Sequence, residues 1–147
     1  GLTREAQLKI LELTAGKVAT IFDSSMGFRH GPKSFINEKT IMFGFVNNTP
    51  YTRDYDLDIL EEVHGDEIAA GVFAIAQPGK RNFSGSTIEY SAETALLPDG
   101  YLALADIMVA QTVALLTSIK VGNKPDTPSP TGTVNRVVKG VTIYDYK

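Results

Sequence analysis

The stretch from Gly27 to Lys33, with the sequence GFRHGPK, carries side chains suited to proton transfer and to anion binding. His30 stands between two cations, Arg29 and Lys33, at a Gly-Pro corner. An imidazole exchanges protons near neutral pH, and a pair of cations attracts an anion such as a phosphate. Taken alone, the same stretch is also typical of an ordinary turn before a helix, so its neighbours must decide between these interpretations.

A second group of reactive side chains lies upstream of His30, in the segment REAQLKILEL. Glu5, Lys9 and Glu12 follow the spacing i, i+4 and i+7, which places them on one stripe of an α-helix. A carboxylate close to an ammonium suits acid–base catalysis. The first two residues are equally the common arrangement of a surface ion pair, and Glu12 is equally a solvated residue. The spacing leaves both interpretations open.

Composition limits the kind of protein to which these residues belong. With 147 residues, 43% hydrophobic and 21% charged, the chain suffices for the core of one globular domain. Its formal charge of −3 gives no global footprint for nucleic acid or for an anionic membrane, so any anion site is local. The absence of cysteine excludes disulfides and thiolate metal sites, and two histidines disfavour a histidine-rich metal site. We therefore expect a cytoplasmic protein without a metal.

Neither a targeting segment nor a membrane-spanning segment is expected. The sequence contains no signal peptide, and its longest apolar stretch, from Leu102 to Leu116, is interrupted by polar residues and is too short to span a bilayer. The chain opens without methionine, in the first turn of a predicted helix. We expect that an N-terminal half of the natural protein precedes it.

The hydrophobic pattern predicts helices that alternate with short strands. The first helix is capped by Thr3, runs to about Leu13 and is stopped by Gly16. The predicted strands are 17–23, 40–46, 71–77 and 87–90, and the further helices are 33–37, 54–63 and 99–122. This alternation predicts an α/β layered domain, with a mainly parallel sheet and helices on both faces. Ligands then bind at the carboxyl ends of strands, and His30 follows the predicted strand 17–23.

The remaining segments are interpreted by their charge and apolar content. Four acidic residues of the helix 54–63 are predicted to form an exposed face rather than a metal site: Asp56, Asp58, Glu61 and Glu62. His64 is predicted to be a helix-end residue. The loop 78–85, with the sequence PGKRNFSG, is interpreted as an exposed basic loop, and a phosphate site is the less favoured alternative.

The C-terminal part of the chain contains a long helix and a tail. The helix 99–122 is apolar nearly all round, so it is buried or lies at an interface, and we expect at least a homodimer. We divide the chain into a domain, 1–122, and a C-terminal tail, 123–147, which opens with three prolines in six residues. The aliphatic residues of the tail suggest that it docks on the domain, although a solvated terminus is common.

Three separated motifs, in the same order, identify a family resemblance. EAQLKILE at 5–12, RHGP at 29–32, and KPDTP with NRVVKGVTI near the end resemble the second sugar isomerase (SIS) domain of ketose/aldose isomerases. The isomerase half of glucosamine-6-phosphate synthase is a well-known relative. GFRHGPKSFI, PYTRDYDLDIL and VNRVVKGVTIY are more similar still to the tagatose-6-phosphate ketose/aldose isomerase group. That resemblance implies isomerisation or deamination of a hexose 6-phosphate, such as galactosamine 6-phosphate, without a metal or an organic cofactor.

The resemblance also implies roles for single residues. Glu12 matches the glutamate that moves a proton between C1 and C2 of the open-chain sugar. His30 matches the histidine that helps to open the ring, which in the family comes from a neighbouring subunit or domain. Lys139 matches the tail lysine that forms an imine with the ketose in the synthase. Lys9 matches a lysine near the substrate, and Glu5 a mainly structural acid.

Some positions depart from the family pattern. Ala6 and Leu11 replace a glycine and a lysine, which removes one cationic contact.

Arg29 is expected to help bind the substrate anion. We find no copy of the Ser/Thr-rich phosphate loop that related enzymes carry, and we expect a missing N-terminal SIS domain to supply it.

The chemistry of the three catalytic candidates agrees with these roles. Moving a proton between adjacent carbons requires one carboxylate that takes and returns it, and Glu12 fits. Ring opening requires a group that exchanges protons at neutral pH, such as His30. Lys139 becomes nucleophilic if its pKa is lowered. The alternative is a regulatory SIS domain that binds sugar phosphates without turnover, but a sensor needs no carbon base.

Overall fold

In the computed structural model, which describes residues 1–91, 97–134 and 140–146, the apolar segments form a parallel sheet accompanied by helices. The helices are α1 (Leu2–Leu13), α2 (Ser25–Arg29), α3 (Pro50–Gly65) and α4 (Asp99–Lys120). The strands are β1 (Ile41–Phe45), β2 (Gly71–Ala76) and β3 (Ser86–Glu89), and a 3-10 turn covers Pro32–Phe35.

The sheet has the strand order β1-β2-β3, and both neighbouring pairs are parallel. Phe43 lies beside Phe73, and their rings stack with centroids 5.4 Å apart. Two parallel neighbours require a crossover between them, and α3 provides it between β1 and β2. All three strands therefore end at one edge of the sheet. The prediction of an α/β domain with a parallel sheet is confirmed.

The main core lies between α3 and one face of this sheet. Leu57, Leu60 and Val63 of α3 are buried against alternate residues of the strands, including Val72 and Ala74. Burying each leucine or valine contributes about 1.5–3 kcal/mol.

A glycine permits the close approach of α3 to β1. A Cβ at Gly44 would lie 2.8 Å from a methyl carbon of Leu60, so a larger residue there would push the helix away from the strand.

The first predicted strand, 17–23, is wrong. This segment belongs to none of the three strands of the described sheet, and Ile21 and Phe22 are each 42% exposed. It is instead held beside α1, where the side-chain amide of Gln7 donates to the carbonyl oxygen of Thr20 at 2.7 Å. Apolar, β-branched composition favours an extended chain but does not supply a neighbouring strand with which to pair. The argument that His30 follows a buried strand is therefore wrong too.

The other elements agree with the sequence, with small corrections. The strands 40–46, 71–77 and 87–90, the short helix after Pro32 and the helices 54–63 and 99–122 are confirmed, with shifted ends. Thr3 does not cap α1, because the helix starts one residue earlier with Gly1 in the capping position. Asp99 lies inside α4 rather than at its cap, where its carboxylate accepts from the backbone N–H of Asn48 at 2.8 Å.

The helix α4 has one buried stripe and one exposed apolar face. The buried stripe consists mainly of small residues at a spacing of four, which suits the close packing of α4 along α1: Leu102, Asp106, Ala110, Ala114 and Ser118. The opposite face exposes six large apolar side chains: Tyr101, Leu104, Met108, Leu115, Leu116 and Ile119. By length and composition this helix is long enough to cross a membrane, so the expectation that the stretch is too short is wrong. Its buried aspartate and serine and its packing on α1 fit an interface helix better.

The buried guanidinium of Arg53 joins the loops that follow β1 and β2. Its Nη1 donates to the carbonyl oxygen of Asn47 at 3.1 Å, and its Nη2 to that of Gln77 at 3.0 Å. Its Nε donates to the carbonyl oxygen of Arg81 at 2.7 Å, and Nη2 also reaches the side chain of Asn82 at 2.9 Å. A planar, five-donor guanidinium makes such a set of bonds, and an ammonium cannot.

Arg53 is expected to be far more important for stability than the exposed Arg81. Arg53→Ala removes the guanidinium donor from the buried carbonyl oxygen of Gln77 and from the part-buried bonds to Asn47 and Arg81, and should lower the free energy of unfolding by about 3 kcal/mol. Arg81→Ala removes exposed ion pairs with Asp54 and Asp58 and should cost less than about 1 kcal/mol. Urea denaturation of both variants measures the difference. Equal losses would contradict the role assigned to Arg53.

Candidate functional site

The charged stripe predicted for the first helix lies on α1 as expected. The Nζ of Lys9 is 2.8 Å from a carboxylate oxygen of Glu12 and 3.5 Å from one of Glu5. The hydrogen bond to Glu12 is the largest cause that raises the pKa of Lys9, against the opposing effect of burial, and the negative charges of both acids add to it. Lys9 therefore stays a cation at neutral pH and holds the Glu12 carboxylate against the helix surface.

His30 lies at the end of a short helix, directly before the predicted Gly-Pro corner. The side chain of Ser24 caps α2 by accepting from the N–H of Gly27 at 3.1 Å. A Cβ at Gly27 would clash with the carboxylate of Asp23, so a larger residue there would displace that side chain. His30 follows α2 as its C-cap, with its backbone N–H bonded to the carbonyl oxygen of Gly27 at 3.1 Å, and it is exposed.

The two cations that flank His30 are bound to one carboxylate of α3. Arg29 donates through Nη1 to Oε2 of Glu62, and the Nζ of Lys33 lies 2.6 Å from Oε1 of the same residue. Lys33 is also 2.6 Å from the carboxylate of Asp66. The expectation that Arg29 and Lys33 stand ready for an external anion is corrected by these contacts, since both are already paired. A role for Arg29 in substrate binding remains a prediction.

These ion pairs shift the pKa values of the groups involved. The hydrogen bond from Lys33 is the largest cause that lowers the pKa of Glu62, and the charge of Arg29 adds to it against the opposing effect of burial. The pKa of Lys33 is raised by its hydrogen bonds to two carboxylates, of which the bond to Asp66 has the larger effect and the bond to Glu62 the smaller. Glu62 and Lys33 are therefore both charged across the physiological pH range.

A third anchor of this segment is Asp56, which the sequence wrongly placed on an exposed face. Asp56 is buried, and one carboxylate oxygen accepts from the hydroxyl of Ser25 at the start of α2. The other oxygen accepts from the backbone N–H of Asn47 at 3.0 Å and from its side-chain amide at 2.7 Å. The sequence offered one local indication that Asp56 is buried, because it stands one helical turn after Arg53. The partner Ser25 is 31 residues away and leaves no periodic trace.

Glu12 and the turn that follows His30 lie on different sides of α1. A groove of about 580 Å³ separates α1 from the turn after His30, and it is lined by Gln7, Ile21, Phe22, Pro32, Ser34 and Phe35. At 3.6 residues per turn, Gln7 points about 140° away from Glu12 around the helix. Within the described ranges no hydrogen bond or ion pair joins His30 to the Lys9 and Glu12 pair. The structure therefore brings Lys9 and Glu12 together, but not His30.

The structure gives different outcomes for the remaining residues that the sequence singled out. Lys139 lies outside the described residues. The loop 78–85 is mostly exposed, and two of its residues bind carboxylates of α3: Arg81 reaches Asp58 at 2.6 Å, and the N–H of Ser84 donates to Glu61 at 2.8 Å. His64 lies in the last turn of α3 with its ring edge-on to Phe83, as expected of a helix-end residue. Among residues 1–91, 97–134 and 140–146, no cluster of side chains suited to a metal ion is found.

The whole chain is similar to curated proteins named D-galactosamine-6-phosphate deaminase AgaS. It is 48% identical over 153 residues to the one from Escherichia coli O157:H7, a match that covers 100% of this chain and 38% of that protein. It is 41% identical over 144 residues to the putative deaminase of Streptomyces coelicolor, covering 98% and 37%. The chain thus spans little more than a third of the length of these relatives. No protein-family model matches it.

Solved structures show the same relationship. The tagatose-6-phosphate ketose/aldose isomerase of Escherichia coli is 40% identical, with a TM-score of 0.84 over 99% of this chain and 36% of the other. A putative isomerase of the same name from Clostridium novyi NT is 43% identical, with a TM-score of 0.85 over 99% and 38%. The chain therefore has the fold of a segment of these proteins, and the resemblance inferred from its motifs is confirmed.

Proposed function

We propose, because the chain is homologous to a segment of sugar-phosphate isomerases and deaminases, that it forms the C-terminal part of an enzyme acting on an amino-hexose 6-phosphate. The observation that carries this proposal is the match of the whole chain, at 48% identity, to a protein named galactosamine-6-phosphate deaminase. The retained carboxylate of Glu12 and the imidazole of His30 support it, since proton transfer at carbon requires such groups.

The first step of the proposed reaction opens the sugar ring. His30 takes the proton of the C1 hydroxyl and delivers a proton to the ring oxygen as the bond between C1 and that oxygen breaks. The product is the open-chain aldehyde. The exposed position of the imidazole suits a group that must reach a substrate.

The second step moves a proton between two carbons. Glu12 removes the proton from C2 and a proton is returned to C1, so that a 2-amino sugar becomes an imine at C2. Water adds to this imine and ammonia leaves, which gives a ketose 6-phosphate. Overall one amino sugar phosphate and one water become one ketose phosphate and one ammonia. Without the amino group, the same proton transfer is a simple isomerisation.

The ion pair with Lys9 determines when Glu12 is available as a base. One oxygen of the Glu12 carboxylate is occupied by the hydrogen bond from the Lys9 ammonium at 2.8 Å. We infer that a substrate oxygen takes over the Lys9 ammonium when the sugar binds. Substrate binding then frees Glu12 and places Lys9 beside the developing negative charge of the enediol.

The active site is proposed to be shared between chains. Because the turn that follows His30 faces α1 on the side away from Glu12, we propose that His30 of a second copy meets Glu12. The exposed apolar face of α4, with six large side chains, supports such an assembly, because a face of this kind is costly to leave in water. The paired state of Arg29 and Lys33 supports a phosphate site formed mainly by residues outside this chain. Lys139 would enter from the tail.

Product analysis tests the proposed function. The full-length protein should release ammonia and a ketose phosphate from galactosamine 6-phosphate in equal amounts. Coupled assays for ammonia and for ketose, run in parallel with glucosamine and galactose 6-phosphates, measure this. Ketose from the plain sugar without ammonia from either amino sugar would favour simple isomerisation. If neither ammonia nor ketose forms from any of the three sugar phosphates, the result would contradict an enzymatic function and favour a regulatory binding domain.

A pair of substitutions on α1 tests the role of Glu12. Glu12→Gln keeps the size of the side chain but removes the base, so kcat should fall by about 10² to 10⁴ while KM changes little. Glu5→Gln removes the other partner of Lys9 and is the matched control, with kcat expected within about threefold of the wild type. Steady-state kinetics measure both. Equal losses in the two variants would mean that Glu12 is merely part of the ion-pair cluster.

A further inference from the structure

We propose that Glu62 is the residue that positions His30, by binding the cations on both sides of it with a single carboxylate. This inference rests on the proposed function, in which His30 opens the ring. It assigns a role to a residue of α3 that the sequence had placed on a plain acidic surface.

The contacts of Glu62 enclose the His30 corner. One carboxylate oxygen accepts from Nη1 of Arg29, the residue before His30, and the other is 2.6 Å from Nζ of Lys33, three residues after it. The corner is therefore attached at both ends to the same side chain. Because α3 is packed into the core through Leu60 and Val63, on either side of Glu62, the carboxylate has a rigid base.

Two other kinds of restraint act at the corner: Ser34 donates to the carbonyl oxygen of Gly31 from its N–H at 2.9 Å and from its hydroxyl at 2.7 Å, and Phe28 and Ile36 pack against the core. No neighbouring atom lies within 4 Å of the place where a Cβ on Gly31 would stand, so that position is open on its outer side. His30 is exposed, and its backbone N–H bonds within α2. Asp56 anchors only the start of α2, through Ser25. Asp66 reaches Lys33 but not Arg29.

The role is one of geometry rather than of stability. The side chains of Arg29, Lys33 and Glu62 are each about one-third exposed, at 34%, 29% and 35%. Exposed ion pairs of this kind contribute little to the free energy of unfolding. They do hold a surface segment in one orientation, and a displacement of about 1 Å of a catalytic group can lower a rate by about 10²-fold.

Substitutions on α3 test the proposal. In the full-length protein, Glu62→Gln should lower kcat by about 10-fold or more, with KM within about twofold and the melting temperature nearly unchanged. Asp58→Asn is the matched control, because it removes another exposed carboxylate of α3 that binds an arginine, Arg81, away from the corner. Its kcat should stay at the wild-type value.

A double-mutant cycle separates positioning from a general structural effect. If Glu62 acts through Arg29, the double variant Glu62→Gln with Arg29→Met should be no slower than the slower single variant, whereas independent effects multiply. The imidazole NMR signals of His30, assigned by their loss in His30→Ala, should shift in Glu62→Gln and stay in place in Asp58→Asn.

The two readouts distinguish this proposal from the proposed function. Unchanged kcat or unchanged His30 signals in Glu62→Gln would overturn the positioning role. A wild-type protein that forms neither ammonia nor ketose contradicts the proposed function instead, and the His30 signals then decide alone whether Glu62 positions this corner.

Discussion

The hydrogen bonds of the buried Arg53 guanidinium hold the carboxyl edge of the sheet together, and the rest of the arrangement depends on them. They connect the loops after β1 and β2 and thereby fix the start of α3. Further along the same helix, Asp56 binds Ser25 and Glu62 binds Arg29 and Lys33. The helix α3 thus uses its apolar side to complete the core and its polar residues to attach the segment that carries His30.

The parts of this arrangement that could be predicted from the sequence are local in origin. Helical spacing was sufficient to place Glu5, Lys9 and Glu12 together, because the contacts lie within one or two turns. Short apolar runs were sufficient for β1 and β2, and the strand predicted at 87–90 corresponds to β3. The segment 17–23 has the same composition but lacks a neighbouring strand, and pairing is a property of the fold rather than of the segment.

The contacts that were missed join residues that are distant in sequence. Asp56 and Glu62 look like members of one exposed acidic face when only the helix is considered. The partners that they bind in the segment around His30 are 29 to 33 residues away, so no periodicity reveals them. Charges flanking His30 suggested an anion site for the same reason: the sequence shows two cations but not the carboxylate that binds both.

Within the described residues of one copy, no hydrogen bond or ion pair joins His30 to the Lys9 and Glu12 pair. Lys9 and Glu12 occupy one side of α1, while the turn that follows His30 faces the groove on the other side. The exposed apolar face of α4 is a surface through which copies could associate. The chain matches little more than a third of its relatives, so residues beyond it are expected to contribute the phosphate contacts. The central claim is therefore that Glu12 and His30 act on the same substrate from different copies.

A subunit-mixing experiment tests this claim most directly. Full-length Glu12→Gln and His30→Ala variants, each inactive alone, are unfolded together, refolded and assayed for ammonia and ketose. Random pairing makes about half of the dimers mixed, and each mixed dimer has one of its two sites with both groups intact, so the mixture should recover about a quarter of wild-type activity. A mixture that is no more active than the separate variants would contradict a site shared between copies.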